Sequence, residues 1–411
     1  MRVRTISACV LIGLLVALIG EAQAQAPEIT LSEALRRAAE QHPDLRVSEA
    51  EVRIAQGQLR QARTIAYNPE VSAAVGSTEG ADTSLTSYEV ELSQRFELGG
   101  KRSARIAAAR WRVEAAKARL ERTRELVAAR VVRAFTLAAL ARSRIATARE
   151  AEQVAGQLQG AATERLAFGA GTQLELNVAT AAVGRDRRAR LEAERGYASA
   201  LLELAAAIGL PARETVVPAG EPPPTPEVEE NEAELVKLAM ERRADLTATR
   251  AERAAAEADL RLARSLFWPD PAIGVSAERD DLRTLRFGVS LPIPIWNRGQ
   301  GERAAAGAAV ERAQLAQAGV ERQIEFEVRD AYQGYLRARQ AESGFDRETV
   351  NRLAENITLA NESFRSGKIG LLVFSTVRRD LVEARLSYLD ALADVAERRY
   401  ALQLAVGGTL E

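Results

Sequence analysis

Twice in this chain, about 200 residues apart, a segment of alternating apolar and polar residues reaches a glycine and turns into a long helical pattern. In YEVELSQRFELGGKRSARIAAARW, residues 88–111, Tyr88, Val90, Leu92 and Phe96 share one face, while Glu89, Glu91, Ser93 and Arg95 share the other. After Gly99 and Gly100 the period of two gives way to a period near 3.6. LRTLRFGVSLPIPIWNRG, residues 282–299, repeats the device through Leu285, Phe287, Val289, Leu291, Ile293 and Ile295, then Arg298 and Gly299 lead into a second long helix. Two-faced strands that run straight into very long helices constrain the fold more than any other feature here.

The surrounding chain is written twice in the same order. In the first half a helical pattern over 31–66 is broken by Pro43, and the expected result is a short helix followed by a longer one. Strands are expected at about 69–78, through Val71, Ala73 and Val75, and at about 85–97. A helix from about 100 to 166 follows, roughly 100 Å long at 1.5 Å per residue. It breaks at FGAGT, residues 168–172, and a further helix runs to Ile208. In the second half a helix is expected over 234–266, strands at about 271–279 and 283–295, and a long helix to about Phe364. A break at SGKIG, residues 366–370, precedes a last helix to Val406. The repeats are thus 25–209 and 232–408, joined by a Pro-rich, acidic connector at 210–231. Apolar residues at Val127, Val131, Phe135, Ala138 and Ile145, and at Val320, Ile324, Val328, Tyr332 and Tyr335, mark one packing stripe on each long helix.

Composition narrows the choice further. Nearly half the residues are apolar but only 5% are aromatic, and the abundance of alanine favours thin, closely packed helices over a thick globular core. A formal net charge of −1 offers no basic field for nucleic acid. Arg2 and Arg4, an apolar run from Ala8 to Ile19, and Ala22-Gln23-Ala24 read as a secretory signal peptide at 1–24. The single cysteine, Cys9, falls inside that signal with too few residues before it for a lipid-attachment box, so a mature chain without disulfides is expected. His42, the only histidine, stands before Pro43 and is expected to face solvent in the turn. With no mature cysteine and only Met240 besides the start, no metal or cofactor site is expected, and no nucleophile and base constellation suggests an enzyme.

Beyond the signal no apolar stretch is long enough for a membrane helix, so a meeting with a membrane would have to use the strands. Their length and two-faced pattern suit tilted strands of an outer-membrane barrel. Tyr67, Phe96, Trp268 and Trp296 stand at the strand ends nearest the helices, where an aromatic girdle would lie. Four strands cannot close a barrel, and open edges in lipid leave backbone groups unsatisfied at several kcal/mol each. Copies of the chain are therefore expected to share one barrel, two giving a filled interior and three a watery lumen. Pro292 and Pro294 mark where the last strand is expected to leave the sheet.

The duplicated order resembles the outer membrane efflux protein family, the TolC-like channels. ELSQRFELGGKRSARIAAA, residues 91–109, and GVSLPIPIWNRGQGERAAA, residues 288–306, resemble its cobalt-zinc-cadmium resistance branch. The resemblance covers about 29–408 and implies a mainly α chain with a membrane β-barrel part. It implies a homotrimer in which a twelve-stranded β-barrel, four strands per chain, continues as an α-helical barrel into the periplasm. It also implies the exit duct of a tripartite pump, with a periplasmic adaptor and an inner membrane resistance-nodulation-division transporter as partners and heavy-metal cations as cargo. The breaks carrying Gly169, Gly171, Glu175, Gly367 and Gly370 become periplasmic tips at the pore constriction. Gly99, Gly100, Arg298 and Gly299 become strand to helix junctions. The family commonly carries acids just after both tips, but Val373 and Thr376 stand there in the second repeat, so only Glu175 can be carried over. Other readings are a duct for drug efflux or type I secretion, a periplasmic adaptor, which would have one hairpin and a sizeable soluble β domain, and a coiled-coil scaffold.

Overall fold

A computed structural model describes residues 27–79, 84–211, 213–222, 226–279, 283–344 and 347–408; the expected signal at 1–24 lies outside them. In chain order the elements are β1 (Glu28–Ile29), α1 (Leu31–Gln41), α2 (Pro43–Arg63), β2 (Glu70–Glu79), β3 (Ser84–Arg95), α3 (Lys101–Ala167) and α4 (Gln173–Ile208). There follow β4 (Val217–Pro218), α5 (Glu232–Arg242), α6 (Ala244–Ser265), β5 (Ala272–Arg279), β6 (Arg283–Ser290), α7 (Gln300–Ser343), α8 (Arg347–Arg365) and α9 (Leu371–Val406).

Local chemistry explains the helix boundaries. Thr30 caps α1 by accepting from the Glu33 amide at 3.3 Å. Pro43 cannot donate and opens α2 at the first helical position, where that donor is not needed. The second repeat makes the same break without a proline: Arg243, at φ −61° and ψ 120°, separates α5 from α6. The single helix expected over 234–266 is therefore two. Asn231 and Glu234 form a capping box at the start of α5. His42, expected in solvent, is only 4% exposed; it caps the end of α1, its amide donating to the Ala38 carbonyl at 3.0 Å. The long helix of the second repeat also differs from expectation, α7 ending at Ser343 and α8 covering 347–365.

The main sheet has the order β2-β3-β5-β6, and every pair is antiparallel. Val71 faces Leu92, Leu92 faces Val275, and Ile273 faces Val289, so one face is apolar across all the strands. That face is bare: Val71, Val75, Phe287 and Val289 are each more than two-thirds exposed. β6 ends at Ser290, short of the expected 295, and β3 ends at Arg95. Beyond Ser290 come Pro292 and Pro294, which lack the amide a ladder requires.

The chain forms two compact units that ignore the sequence repeat, each drawing on both halves. One comprises the residues up to His42, Val127–Pro226 and Tyr335–Tyr400; the other comprises Pro43–Leu126, Glu227–Gly334 and the chain from Ala401. In the first unit Val127, Val131, Phe135, Ala138 and Ile145 are all buried. A short parallel pairing there, Glu28 with Val217 and Ile29 with Pro218, anchors the connector beside the N-terminal segment. In the second unit Ile324 and Val328 are buried, and alanines such as Ala104, Ala108, Ala115 and Ala116 fill much of the α3 contact face. Side chains this small let helices approach closely at little cost in rotamer entropy.

Candidate functional site

The junction in the second unit is built on Gly99 and Gly100, at φ 70° and 76°. Such angles cost an L-residue about 1–2 kcal/mol, which glycine avoids. From this turn α3 starts, the Ala104 amide donating to the Gly100 carbonyl at 3.1 Å. Trp268 packs over it so closely that a Cβ on Gly99 would lie 2.6 Å from the indole. Lys101 then reaches across to the residues before β5. Its ammonium donates to Asp270 Oδ1 and to the Trp268 carbonyl, each at 2.7 Å. Asp270 also accepts from the Leu98 amide and from the Tyr67 hydroxyl, both at 3.0 Å.

This ion pair is buried, so its satisfaction matters. Burial alone would raise the Asp270 carboxyl, but the Lys101 ammonium, the Leu98 amide and the Tyr67 hydroxyl outweigh it and hold the pKa below the ordinary value. Arg105 clamps the same turn through an ion pair with Glu97. The site binds the end of β3, the start of α3 and the start of β5 into one joint.

The second junction is simpler. Gly299, at φ 72°, precedes α7, and the Arg303 amide donates to its carbonyl at 3.0 Å. The turn is closed by its own side chains: Gln300 Oε1 accepts from the Arg298 amide at 2.7 Å, its Nε2 donates to the Trp296 carbonyl at 3.0 Å, and Asn297 accepts from the Gly299 amide at 3.0 Å. Arg298 is exposed, and Trp296 is 86% exposed. Among the expected girdle residues, Phe96, Trp268 and Trp296 are exposed, whereas Tyr67 is half-buried in the joint with Asp270.

The expected tips lie in the first unit and share one backbone motif. After α3, the Gly169 amide donates to Leu166 and the Ala170 amide to Arg165; after α8, Gly367 donates to Phe364 and Lys368 to Ser363. With Gly169 at φ 69° and Gly367 at φ 74°, each is the turn that a left-handed residue makes at a helix end. Gly171 differs, because a Cβ there would lie tightly against the Arg165 Cβ and the Leu166 amide at 3.0–3.1 Å, while Gly370 has open space. Glu175 forms a capping box with Thr172, accepting from its amide at 3.0 Å while Thr172 accepts from the Glu175 amide at 3.2 Å. Val373, the residue at the matching place in α9, is exposed.

The structure brings the two turns together over Ala162, Ala179 and Leu371, with Leu176 and Phe364 packed against them. Phe364 stacks on Phe374 at 5.2 Å. Arg378 fastens the helices behind this cluster: only 2% exposed, it donates to the Ala151 carbonyl at 2.9 Å and to Asp186 at 2.6 Å. Sequence reasoning missed Lys101, Asp270 and Arg378, whose partners lie over 160 residues away. It also missed Phe168, 86% exposed at the first turn, although a phenylalanine beside a helix-ending glycine was a visible signal. Among the described residues no cluster of His, Cys, Asp and Glu could hold a metal ion, and no helix is long and apolar enough to cross a membrane.

Comparison with known proteins agrees with this architecture. A family model described as outer membrane efflux protein matches residues 34–210 and 235–408, once per repeat. The cobalt-zinc-cadmium resistance protein CzcC of Cupriavidus metallidurans is 29% identical over 92% of this chain and 90% of its own length. Among solved structures, a membrane protein from Pseudomonas aeruginosa superposes with a TM-score of 0.76 at 22% identity, covering 93% of this chain and 91% of that one. CusC, described as forming a transmembrane channel, superposes with a TM-score of 0.74 at 19% identity over 93% of each chain. With the family model matched once in each repeat, the chain belongs to the outer membrane efflux protein family, as an efflux protein of the outer membrane and not an enzyme.

Proposed function

We propose that three copies of this chain form the exit duct of a resistance-nodulation-division type efflux system that expels divalent heavy-metal cations such as cobalt, zinc or cadmium. The observation that carries the cargo is the likeness to CzcC along nearly the whole of both chains. A periplasmic adaptor and an inner membrane transporter are the partners of such a duct. In this reading each chain lends four strands to a shared twelve-stranded barrel. The bare apolar face, with Phe96, Trp268 and Trp296 at its periplasmic rim, meets lipid. The turns at Gly169–Glu175 and Gly367–Val373 form the constriction.

A duct needs weak contacts with its cargo, and selection can then rest with the pump. Deleting the gene is expected to raise sensitivity to cobalt, zinc or cadmium, and restoring it is expected to reverse the effect. Unchanged tolerance to all three, in a strain with no second duct, would contradict the cargo while leaving the channel intact.

A further inference from the structure

Within the chain, strands from the two repeats meet where β3 pairs with β5, while β2 and β6 have no outer neighbour among the described residues. The repeat dictates what those edges should meet. β2 and β5 are equivalent: Asn68-Pro69 leads into Glu70 as Asp270-Pro271 leads into Ala272. The hairpins place Val71 opposite Leu92 and Ile273 opposite Val289, so Leu92 and Val289 are also equivalent, as are Ser93 and Ser290. Leu92 faces Val275, whose counterpart is Ala73, and Ser93 faces Gly274, whose counterpart is Ser72.

We propose that β6 of one copy pairs with β2 of the next in the register that β3 and β5 keep, with Val289 opposite Ala73 and Ser290 opposite Ser72 of the next copy. The inference rests on the shared barrel proposed above and adds its seam. The register keeps Leu285, Phe287 and Val289 on the apolar face with Val71, Ala73 and Val75. A slip of two residues, Ser290 opposite Ala74, would preserve the faces too; it follows if equivalence is counted from Gly100 and Gly299 instead of from the hairpins. The hairpins decide, because the two extra residues of the second repeat lie beyond Ser290, in the stretch of Pro292 and Pro294 that has left the sheet.

The joint beside this seam carries an independent sign. Lys101 and Asp270 correspond to Gln300 and Asn68, so an ion pair becomes a pair of amides, with neither charge left alone. Gly99 under Trp268 corresponds to Arg298 beside Ala66, so small under large becomes large beside small. Both pairs change together, as they would if Asn68 and Ala66 of the next copy completed the second joint. Asn68 and Gln300 are both exposed in the single chain.

Cysteine pairs in the full-length protein, oxidised in isolated outer membranes, test the register. Cys9, the sole natural cysteine, lies in the expected signal and leaves the background clean. A disulfide needs Cα atoms within about 7 Å, and a slip of two residues shifts the partner by a further 6–7 Å or so. The variant Ser72→Cys with Ser290→Cys should move most of the chain into dimer and trimer bands on a non-reducing denaturing gel, reversed by reductant, while each single variant stays monomeric. Cross-linking instead by Ala74→Cys with Ser290→Cys would overturn the register and leave the shared barrel standing. If neither pair links yet the variants extract as trimers, the register is again wrong. If neither pair links and wild type extracts as a monomer, the shared barrel itself fails.

Discussion

Gly99 and Gly100 are neighbours with nearly the same φ, but an alanine would meet different surroundings at each. At Gly100 the nearest atom to a new Cβ is Ser103 Oγ at 3.5 Å, so the variant bears only the left-handed cost of about 1–2 kcal/mol. At Gly99 the indole of Trp268 must also move, and Gly99→Ala should lower the unfolding temperature of detergent-purified protein more than Gly100→Ala does. Adding Trp268→Ala should return part of that difference. Asp270 has its folded pKa below the unfolded value, so its contribution is present above the ordinary carboxylate pKa of 3.8 and is lost as pH falls through the lowered one. Asp270→Asn would leave Lys101 buried without a countercharge, at a cost of about 3–5 kcal/mol, and should flatten the acid limb of a stability against pH curve. At this scale the glycines were legible because the sequence period changes at them. Lys101 and Asp270 were not, since nothing local in either segment announces a partner 169 residues away. His42 was misjudged because a residue before proline in a turn usually faces water, whereas here it is buried at the end of α1.

Among the elements, α4 shows what Glu175 does locally. Its carboxylate and the Thr172 hydroxyl satisfy each other's backbone amides, a complete account of its position without any role in the pore. Thr172→Ala should weaken the start of α4 by about 1 kcal/mol and speed amide exchange at 173–176, whereas Glu175→Gln keeps an acceptor and should change exchange little. If Glu175→Gln instead alters metal tolerance with exchange unchanged, the carboxylate acts on the cargo. The helix breaks were legible from FGAGT and SGKIG. The break at Arg243 was not, because it lacks the proline of its counterpart and shows only in the echo between RRADL and QHPDL. The length of β6 was overestimated because residues 291–295 continue the alternation of apolar residues while prolines remove the ladder donors. Pattern reports faces, and hydrogen-bond capacity decides where pairing stops.

For the whole molecule, the repeat was plain in the sequence, while the division into two compact units was not. Helices as long as α3, at 67 residues, take part in both units, so contacts gather by place along the helices and not by order along the chain. The same reasoning sets the assembly: four strands present an apolar face and two free edges, and hydrocarbon tolerates a face but not an edge. The most direct test is the mass of the protein extracted from outer membranes in mild detergent, after the detergent's own contribution is subtracted. Three chains per particle is the predicted result, and a single folded chain, stable without its sisters, would contradict it.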